Sequence, residues 1–382
     1  MQPSLSPYRY LYFFEFVITG VYIAYFNLYL ADSLGFSKQT IGVLLAIPLI
    51  AKCVVPLFWG DFADRRGFRL PLLRGAYSGC LIIFSGFAYL RDLPEVALAL
   101  VVFSLIGTIT IPFLEALTFQ HLQDRIDLYP RAKLWGPIGF LVAVVGLGLI
   151  IEVTSLRVIF WVLSGAYLAL FGLSFSISPH LDETAPAAQA RLPLRRMLLQ
   201  PGVAWFFGII ALLRFSDGPL AGYFSIYLSE SGYGAAAIGM VIAVSVVTEV
   251  LGHRFLFARL LRRPFSVLFM ICALLSAAKS LCLALPPHPM VIVFSMALHG
   301  VSFGLGHVAA ILQMQRLFPP AHRTLGQALF SGIYYGLGGG LGTVVSGMAL
   351  AVLSFREVFA VAGILALGIG WMSLRARPPT QQ

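Results

Sequence analysis

The chain has 382 residues, of which 59% are hydrophobic and only 11% are charged. A soluble domain carries about 25% charged residues, so this composition excludes a soluble globular protein and indicates a chain that lies in a lipid bilayer. The formal net charge of +10 is accounted for by contact with anionic lipid, so it gives no reason to expect a nucleic-acid partner.

Twelve long apolar segments follow one another along the chain, and each approaches the roughly 20 residues that a membrane-spanning helix needs. A β-barrel would show much weaker alternating segments of about 10 residues, so we predict an all-α membrane protein. The first segment lacks a basic leader and a cleavage site, which predicts a span rather than a removable signal. The predicted spans are residues 8–31, 39–59, 71–90, 96–118, 134–152, 156–176, 202–229, 235–256, 265–285, 289–314, 325–351 and 354–374.

Two segments have almost the same sequence, YFNLYLADSLGFSKQTIG at 25–42 and YFSIYLSESGYGAAAIG at 223–239. The tyrosine that opens the first segment, Tyr25, recurs as Tyr223 at an offset of 198 residues. A repeat of this length predicts one six-helix unit that occurs twice in parallel orientation. The predicted organisation is an N-terminal six-helix bundle at 1–177, a cytoplasmic linker at 178–200 and a C-terminal six-helix bundle at 201–382.

Lysine and arginine residues are distributed unevenly between the predicted loops. If the N-terminus is cytoplasmic, nineteen of the 26 lie on the cytoplasmic side and four on the other. Cytoplasmic loops collect basic residues, so we predict a multi-pass protein of the cell inner membrane with both termini in the cytoplasm. The remaining three, Lys52, Arg214 and Lys279, fall within predicted spans.

The loop between the second and third predicted spans reads GDFADRRGFR. It resembles the loop signature of the major facilitator superfamily, in which a glycine is followed by Asp-Arg and then by glycine and basic residues. The resemblance implies a latch between neighbouring helices; the alternative is a basic turn that only sets topology. Phe68 stands where the family has a second basic residue. The residues that match the signature are Gly60, Asp64, Arg65, Gly67 and Arg69.

Four further segments resemble one branch of that superfamily, the branch containing phenylpropionate permeases, which are relatives of the lactose and nucleoside proton symporters. The resemblance covers essentially the whole chain and implies a transporter, but one fold serves many solutes. It also implies a functional acidic residue at Glu115. The segments are PFLEALTFQ at 112–120, YPRAKLWGPIGF at 129–140, TEVLGHRF at 248–255 and LHGVSFGLGHVAA at 298–310.

Ionisable residues inside predicted spans are functional candidates, because they are costly to place in a bilayer. Glu15 is interpreted either as an interfacial charge or as a proton or substrate site. Lys52 and Glu249 are 197 residues apart and occupy equivalent positions in the two repeats. We expect both to form gating contacts, with Glu249 near Lys133 and Lys52 facing the eleventh span.

A second set of charges lies in the C-terminal repeat. Arg214 and Asp217 are three residues apart and share a helical face, so they form either a self-satisfied pair or a solute contact. Lys279 has no evident acidic partner in the sequence and is interpreted as a structural or snorkelling residue.

Three residues are proton-coupling candidates: Glu115, His299 and His307. Histidine titrates near physiological pH, and alignment of the repeats places His307 at a depth similar to that of Glu115. We expect these two to approach one central cavity from opposite halves, with His299 further along the helix axis. The alternative for both histidines is hydrogen-bonded helix packing.

Aromatic and glycine residues also recur in the repeats. Tyr25 and Tyr223 are interpreted either as members of an aromatic belt or as cavity-lining rings for an aromatic or sugar-like solute. Seven glycines between Gly332 and Gly347 predict a close-packed, bending eleventh span.

These observations predict a secondary transporter that moves a small organic solute by alternating access with proton symport. The alternatives are an uncoupled facilitator, an exporter of the same fold, or a membrane sensor. No HExxH, CxxC or Walker sequence occurs, so no enzyme, cofactor or metal site is predicted. The four cysteines are expected to pack as small apolar residues. The expected partners are the solute, protons and lipid, and the chain is expected to act as a monomer.

Overall fold

The computed structural model describes residues 5–123, 125–177, 201–318 and 323–375. Within these ranges the regular structure is helical and no strand occurs. The linker predicted at 178–200 lies outside the described residues, as do the side chains of Asp64 and Arg65.

The described residues form twelve helical segments, which confirms the all-α prediction. Nine of those described are long and apolar enough to span a membrane, α6 is shorter, and π-helical turns interrupt α1 and α11. The segments are α1 (Ser6–Val21, with π-helical turns at Tyr22–Phe26 and Tyr29–Ser33), α2 (Lys38–Arg66), α3 (Arg69–Phe87), α4 (Leu93–Leu122), α5 (Tyr129–Val153), α6 (Val158–Ser174), α7 (Gly202–Glu230), α8 (Ala235–Phe255), α9 (Phe265–Leu283), α10 (Pro289–Leu317), α11 (Arg323–Phe330, Ser331–Gly340 and Leu341–Ala349) and α12 (Phe355–Arg375).

Helix packing follows the internal repeat. In the N-terminal half, α1 packs on α5 and α6, and α3 packs on α6. In the C-terminal half, α7 packs on α11, and α9 packs on α12 and α10. The pairs α1–α5 and α3–α6 therefore recur as α7–α11 and α9–α12, six helices later, as a duplicated six-helix unit requires.

The described residues divide into two compact units, and each unit includes a short segment from the other sequence repeat. The first turns of α8 pack with the first unit, and the N-terminal part of α2 packs with the second. The first unit comprises residues 5–36, 54–123, 125–177 and 233–240, and the second comprises 37–53, 201–232, 241–318 and 323–375.

Glycines in α11 allow close contact with α7, as the sequence predicts. A β-carbon added at Gly338 would lie 2.6 Å from the carbonyl oxygen of Ala211, and one at Gly342 would lie 2.5 Å from that of Phe215. Only a residue without a side chain fits at these distances, so the two helices touch through their backbones.

The turn after α2 contains a glycine in a left-handed conformation. Gly67 has a φ of 66°, which a residue with a β-carbon rarely adopts, so this position of the GDFADRRGFR loop has a conformational reason for glycine. Gly60 has no neighbour within 4 Å of an added β-carbon, so the structure gives no packing reason for glycine there.

Candidate functional site

A carboxyl group lies buried in the middle of the first unit. Glu15 of α1 is only 3% exposed, so its side chain is enclosed by protein rather than by lipid or water in this conformation. The hydroxyl of Tyr77 on α3 donates to Oε1 at 2.9 Å, and that of Thr110 on α4 donates to Oε2 at 3.2 Å. Both donors are neutral, and Glu15 forms no ion pair with any residue that the structure describes.

Asp217 is the centre of an ionic cluster in the second unit, at the break between Pro201–Ser216 and Gly218–Glu230 of α7. Lys279 of α9 donates to Oδ1, and the hydroxyl of Ser276 donates to the same oxygen at 2.9 Å. A guanidinium nitrogen of Arg214 lies 3.8 Å from Oδ2. The self-satisfied Arg214–Asp217 pair is therefore only part of the arrangement.

Lys279 has an acidic partner that is not evident in the sequence, Asp217, which favours the structural interpretation over snorkelling. Lys279 is 1% exposed because the face of α9 that carries Ser276, Lys279 and Ser280 is buried, and two of these residues bind Asp217. Ser276 and Lys279 are three residues apart and share a helical face, but this spacing does not identify Asp217, which lies 62 residues away in the sequence.

Arg214 is surrounded by aromatic rings rather than by acceptors. Its guanidinium carbon lies 5.7 Å from the ring centres of Phe303 and Tyr334 and 6.0 Å from that of Tyr335. The Nε atom of Arg214 and the Nδ1 atom of His299 are buried, and neither has a hydrogen-bond partner among the described residues. Hydrogen-bonding capacity therefore remains unused beside Asp217.

The two histidines of α10 are connected by an aromatic ring. Phe303 lies between them, with ring centres 5.8 Å from His299 and 6.0 Å from His307. Nδ1 of His307 lies 3.4 Å from the hydroxyl of Tyr335, so a packing interpretation accounts for His307 in this conformation.

Glu115 forms an ion pair in the first unit. Lys133 donates to its Oε1 atom, and the hydroxyl of Tyr129 donates to the same atom at 3.2 Å. His307 belongs to the second unit, so its predicted approach to Glu115 stays a prediction.

The two predicted gating residues in equivalent positions have different surroundings. Glu249 lies 4.0 Å from Nε2 of His253, one helical turn away. Lys52 has an exposed side chain and forms no ion pair with a described residue. Its neighbours Leu49 and Cys53 contact Gly336 of α11, and Nε of Arg214 lies 3.6 Å from a β-carbon added at Gly339 of the same segment. Lys133 pairs with Glu115 as described, and the gating role of all three stays a prediction.

The opening tyrosine of the first repeat is held by main-chain atoms. The Tyr25 hydroxyl donates to the carbonyl oxygen of Val144 on α5 and lies 3.2 Å from that of Ala235, the first residue of α8. Gly148 and Gly239 flank it, and a β-carbon on either would collide with the hydroxyl. We call this arrangement the Tyr25 slot.

The second repeat contains the equivalent arrangement, the Tyr223 slot. The Tyr223 hydroxyl lies 2.9 Å from the carbonyl oxygen of Lys38, the first residue of α2, and 3.1 Å from that of Thr343. Gly42 and Gly347 flank it in the same manner.

Neither tyrosine has exposed surface in this conformation, so neither ring is open to lipid headgroups or to a solute here, and the choice between an aromatic belt and a cavity lining stays a prediction. A tyrosine hydroxyl requires an acceptor when it is buried, and backbone carbonyls supply one where the flanking residues are glycines. The repeat of Tyr25 and Gly42 as Tyr223 and Gly239 is therefore explained by packing at equivalent helix contacts.

Comparison with known proteins identifies relatives over nearly the whole chain. The model of the family described as "MFS_1 like family" matches residues 5–361. The chain is 26% identical to a maltose permease of Geobacillus stearothermophilus, over 93% of this chain and 92% of that protein. It is 25% identical to a probable 3-phenylpropionic acid transporter of Escherichia coli, over 93% of each chain. A crystal structure of a mutant of the nucleoside transporter NupG matches with a TM-score of 0.86 at 17% identity, covering 97% of this chain and 99% of that one.

Proposed function

Because this chain belongs to the MFS_1-like family of membrane transporters, we propose that it moves a small organic solute across a bacterial inner membrane by alternating access, coupled to protons. Both termini face the cytoplasm in this proposal, which the uneven distribution of basic residues supports. Alternating access requires two conformations whose populations the solute and the proton shift by binding them unequally.

The observation that carries proton coupling is the environment of Glu15. A charge buried away from water is costly unless it is paired or neutralised, and the described neighbours of Glu15 supply only hydroxyl donors. A proton is the cation that can neutralise this carboxylate. Proton release requires a conformation in which Glu15 is more hydrated or meets a cation, so its proton affinity changes with the transport cycle.

Glu115 is the second candidate for the proton site. Its carboxylate is already compensated by Lys133 and receives a hydrogen bond from Tyr129, so it has less need of a proton in this conformation. This difference favours Glu15 as the proton carrier and Glu115 as a solute-binding or gating residue.

The test uses purified protein in liposomes that contain a pH-sensitive dye, with maltose and 3-phenylpropionate as the first solutes. We expect one of them to move protons inward with the wild type. Glu15→Gln is isosteric and permanently neutral, so it should retain exchange of solute down its own gradient and reduce solute-driven proton movement to background.

The matched control is Glu95→Gln, which changes an exposed acid at the start of α4 and should behave as the wild type. Glu115→Gln is the comparison arm and should retain proton movement. If the wild type exchanges solute without any proton movement, the chain is an uncoupled facilitator and the coupling proposal is wrong.

The GDFADRRGFR loop supports a second expectation about the cycle. The segment predicted as a loop is helical up to Arg66, and only Gly67 and Phe68 connect α2 to α3. We expect Asp64→Asn to slow solute flux strongly while solute affinity changes only a few-fold, because Asp64 lies in the last turns of α2, away from the charged cluster of Asp217 along the chain. Flux in liposomes and equilibrium binding in detergent are the two measurements. An equal loss of both would show that Asp64 acts through folding.

A further inference from the structure

The second unit contains an excess of positive charge near Arg214. Lys279 and Arg214 both face the carboxylate of Asp217. Lys52 has no ion-pair partner among the described residues, and its neighbours Leu49 and Cys53 contact Gly336 of α11, whereas Arg214 contacts Gly339 of the same segment. The negative charge of one carboxylate is therefore outnumbered by the positive charges of three side chains. Lys279 takes the close contact with Asp217, so the charges of Arg214 and Lys52 are the ones left to be compensated.

The donor geometry of Arg214 is also incomplete. Guanidinium has five N–H donors in a planar fork that matches a carboxylate, and the Asp217 contact at 3.8 Å is an ion pair too long for a hydrogen bond. The Nε atom is buried and has no partner among the described residues. Arg214 is thus held by Asp217 and by ring faces, while its Nε–H has no hydrogen-bond acceptor among the described residues.

The surroundings of Arg214 indicate what the anion would carry. Phe303, Tyr334 and Tyr335 lie around the guanidinium, and the stacked pair of His307 and Phe303 continues this aromatic wall along α10. The side chains of Phe303, Tyr335 and His307 are partly exposed. Ring faces favour a flat, apolar body next to the charged group.

From these three observations we propose that Arg214 and Lys52 bind the carboxylate of an aromatic organic acid, whose ring packs against Phe303 and Tyr335. This proposal rests on the transport function and specifies its solute class. The fork of Arg214 recognises the carboxylate, Lys52 adds long-range attraction, and Asp217 with Lys279 keeps Arg214 in place.

The experiment measures the thermal stability of the purified protein in detergent, since a ligand of the folded state raises it. The probes form a matched set: benzoate, benzyl alcohol, benzylamine and cyclohexanecarboxylate. We expect benzoate to stabilise the protein most, cyclohexanecarboxylate less, and the alcohol and the amine not at all.

Variants then test the assigned residues. Arg214→Gln should weaken benzoate binding between about tenfold and a hundredfold, which is the effect of losing hydrogen bonds to a charged group. Lys52→Gln should weaken it by about tenfold or less, and Lys52→Glu should abolish it. Lys52 has an exposed side chain and no described ion pair, so its variants stay informative if Arg214→Gln fails to fold. Arg356→Gln, an exposed arginine at the start of α12, is the control that should bind as the wild type.

Several results would overturn the proposal. They are equal stabilisation by benzyl alcohol and benzoate, equal stabilisation by chloride or inorganic phosphate, stabilisation by phosphatidylglycerol alone, or wild-type benzoate binding by both Lys52 variants. If maltose binds and moves protons while benzoate does not bind, the transport proposal stands and the solute class is wrong. If benzoate binds in a manner that depends on Arg214 but no proton moves, the solute class stands and the proposal of proton coupling is wrong.

Discussion

Replacing Lys279 with methionine is expected to lower the free energy of unfolding by about 3 kcal/mol, the lower end of the range for breaking a buried ion pair. The change removes the cation that contacts Asp217 most closely and leaves this carboxylate with Ser276 and the more distant Arg214. Both Lys279 and Asp217 are almost fully buried, so water cannot replace the lost contact. Reversible unfolding in mixed detergent micelles measures the effect.

The control for this prediction is an exposed ion pair in the same unit. Glu230, whose side chain is 50% exposed, pairs with Lys38 at 2.8 Å, and Glu230→Gln should cost less than about 1 kcal/mol. The double variant Asp217→Asn with Lys279→Met should be more stable than Lys279→Met alone, because the buried carboxylate is then neutral. A single variant as stable as the wild type would mean that the pair contributes nothing to folding.

Replacing Gly42 with alanine is expected to reduce transport between about fivefold and a hundredfold, because an overpacked contact costs about 1–3 kcal/mol. The added β-carbon would collide with the hydroxyl of Tyr223 and lie 3.1 Å from the carbonyl oxygen of Thr343. The conformation in which the Tyr223 slot is closed would then be depopulated. Exchange of whichever solute the wild type carries is the measurement.

This prediction has a specific rescue. The hydroxyl is the only atom that an alanine at Gly42 would meet within 3.0 Å, so adding Tyr223→Phe should restore part of the transport. Gly208→Ala, on the same helix as Tyr223 but with no neighbour within 4 Å of the new β-carbon, is the control that should transport normally. An unchanged rate in Gly42→Ala would show that closure of this slot is not part of the cycle.

The helices could be predicted from sequence because a membrane span depends on composition over some twenty residues, which neighbouring helices do not alter. Most predicted ends lie within four residues of the observed ones among the described residues, whereas α2 continues seven residues past its predicted end at residue 59, to Arg66. The bends in α1 and α11 were harder to foresee. The glycines of α11 indicated one, whereas the π-helical turn at Tyr22–Phe26 contains no glycine or proline.

The site could be predicted only as a set of residues, because pairing depends on which helix faces meet. Asp217 was assigned to Arg214, its neighbour in sequence, but its closest cation lies 62 residues away on α9. Tyr25 and Tyr223 were recognised as important through their repeat. Their acceptors are main-chain carbonyls, which every residue type has. The sequence therefore could not show which residues accept these hydrogen bonds, and the packing role could not be predicted.

The main-chain acceptors of the two tyrosine slots also bear on how the halves could diverge after duplication. Lys38 and Ala235 supply equivalent carbonyls, as do Val144 and Thr343, although the side chains within each pair differ. A hydroxyl that donates to a backbone carbonyl keeps its hydrogen bond when the side chain of the acceptor residue changes. A methyl group added at a flanking glycine, in contrast, would collide with the hydroxyl. Acceptor positions were therefore free to drift, and Lys38 could acquire its ion pair with Glu230 without disturbing the contact that its own carbonyl makes.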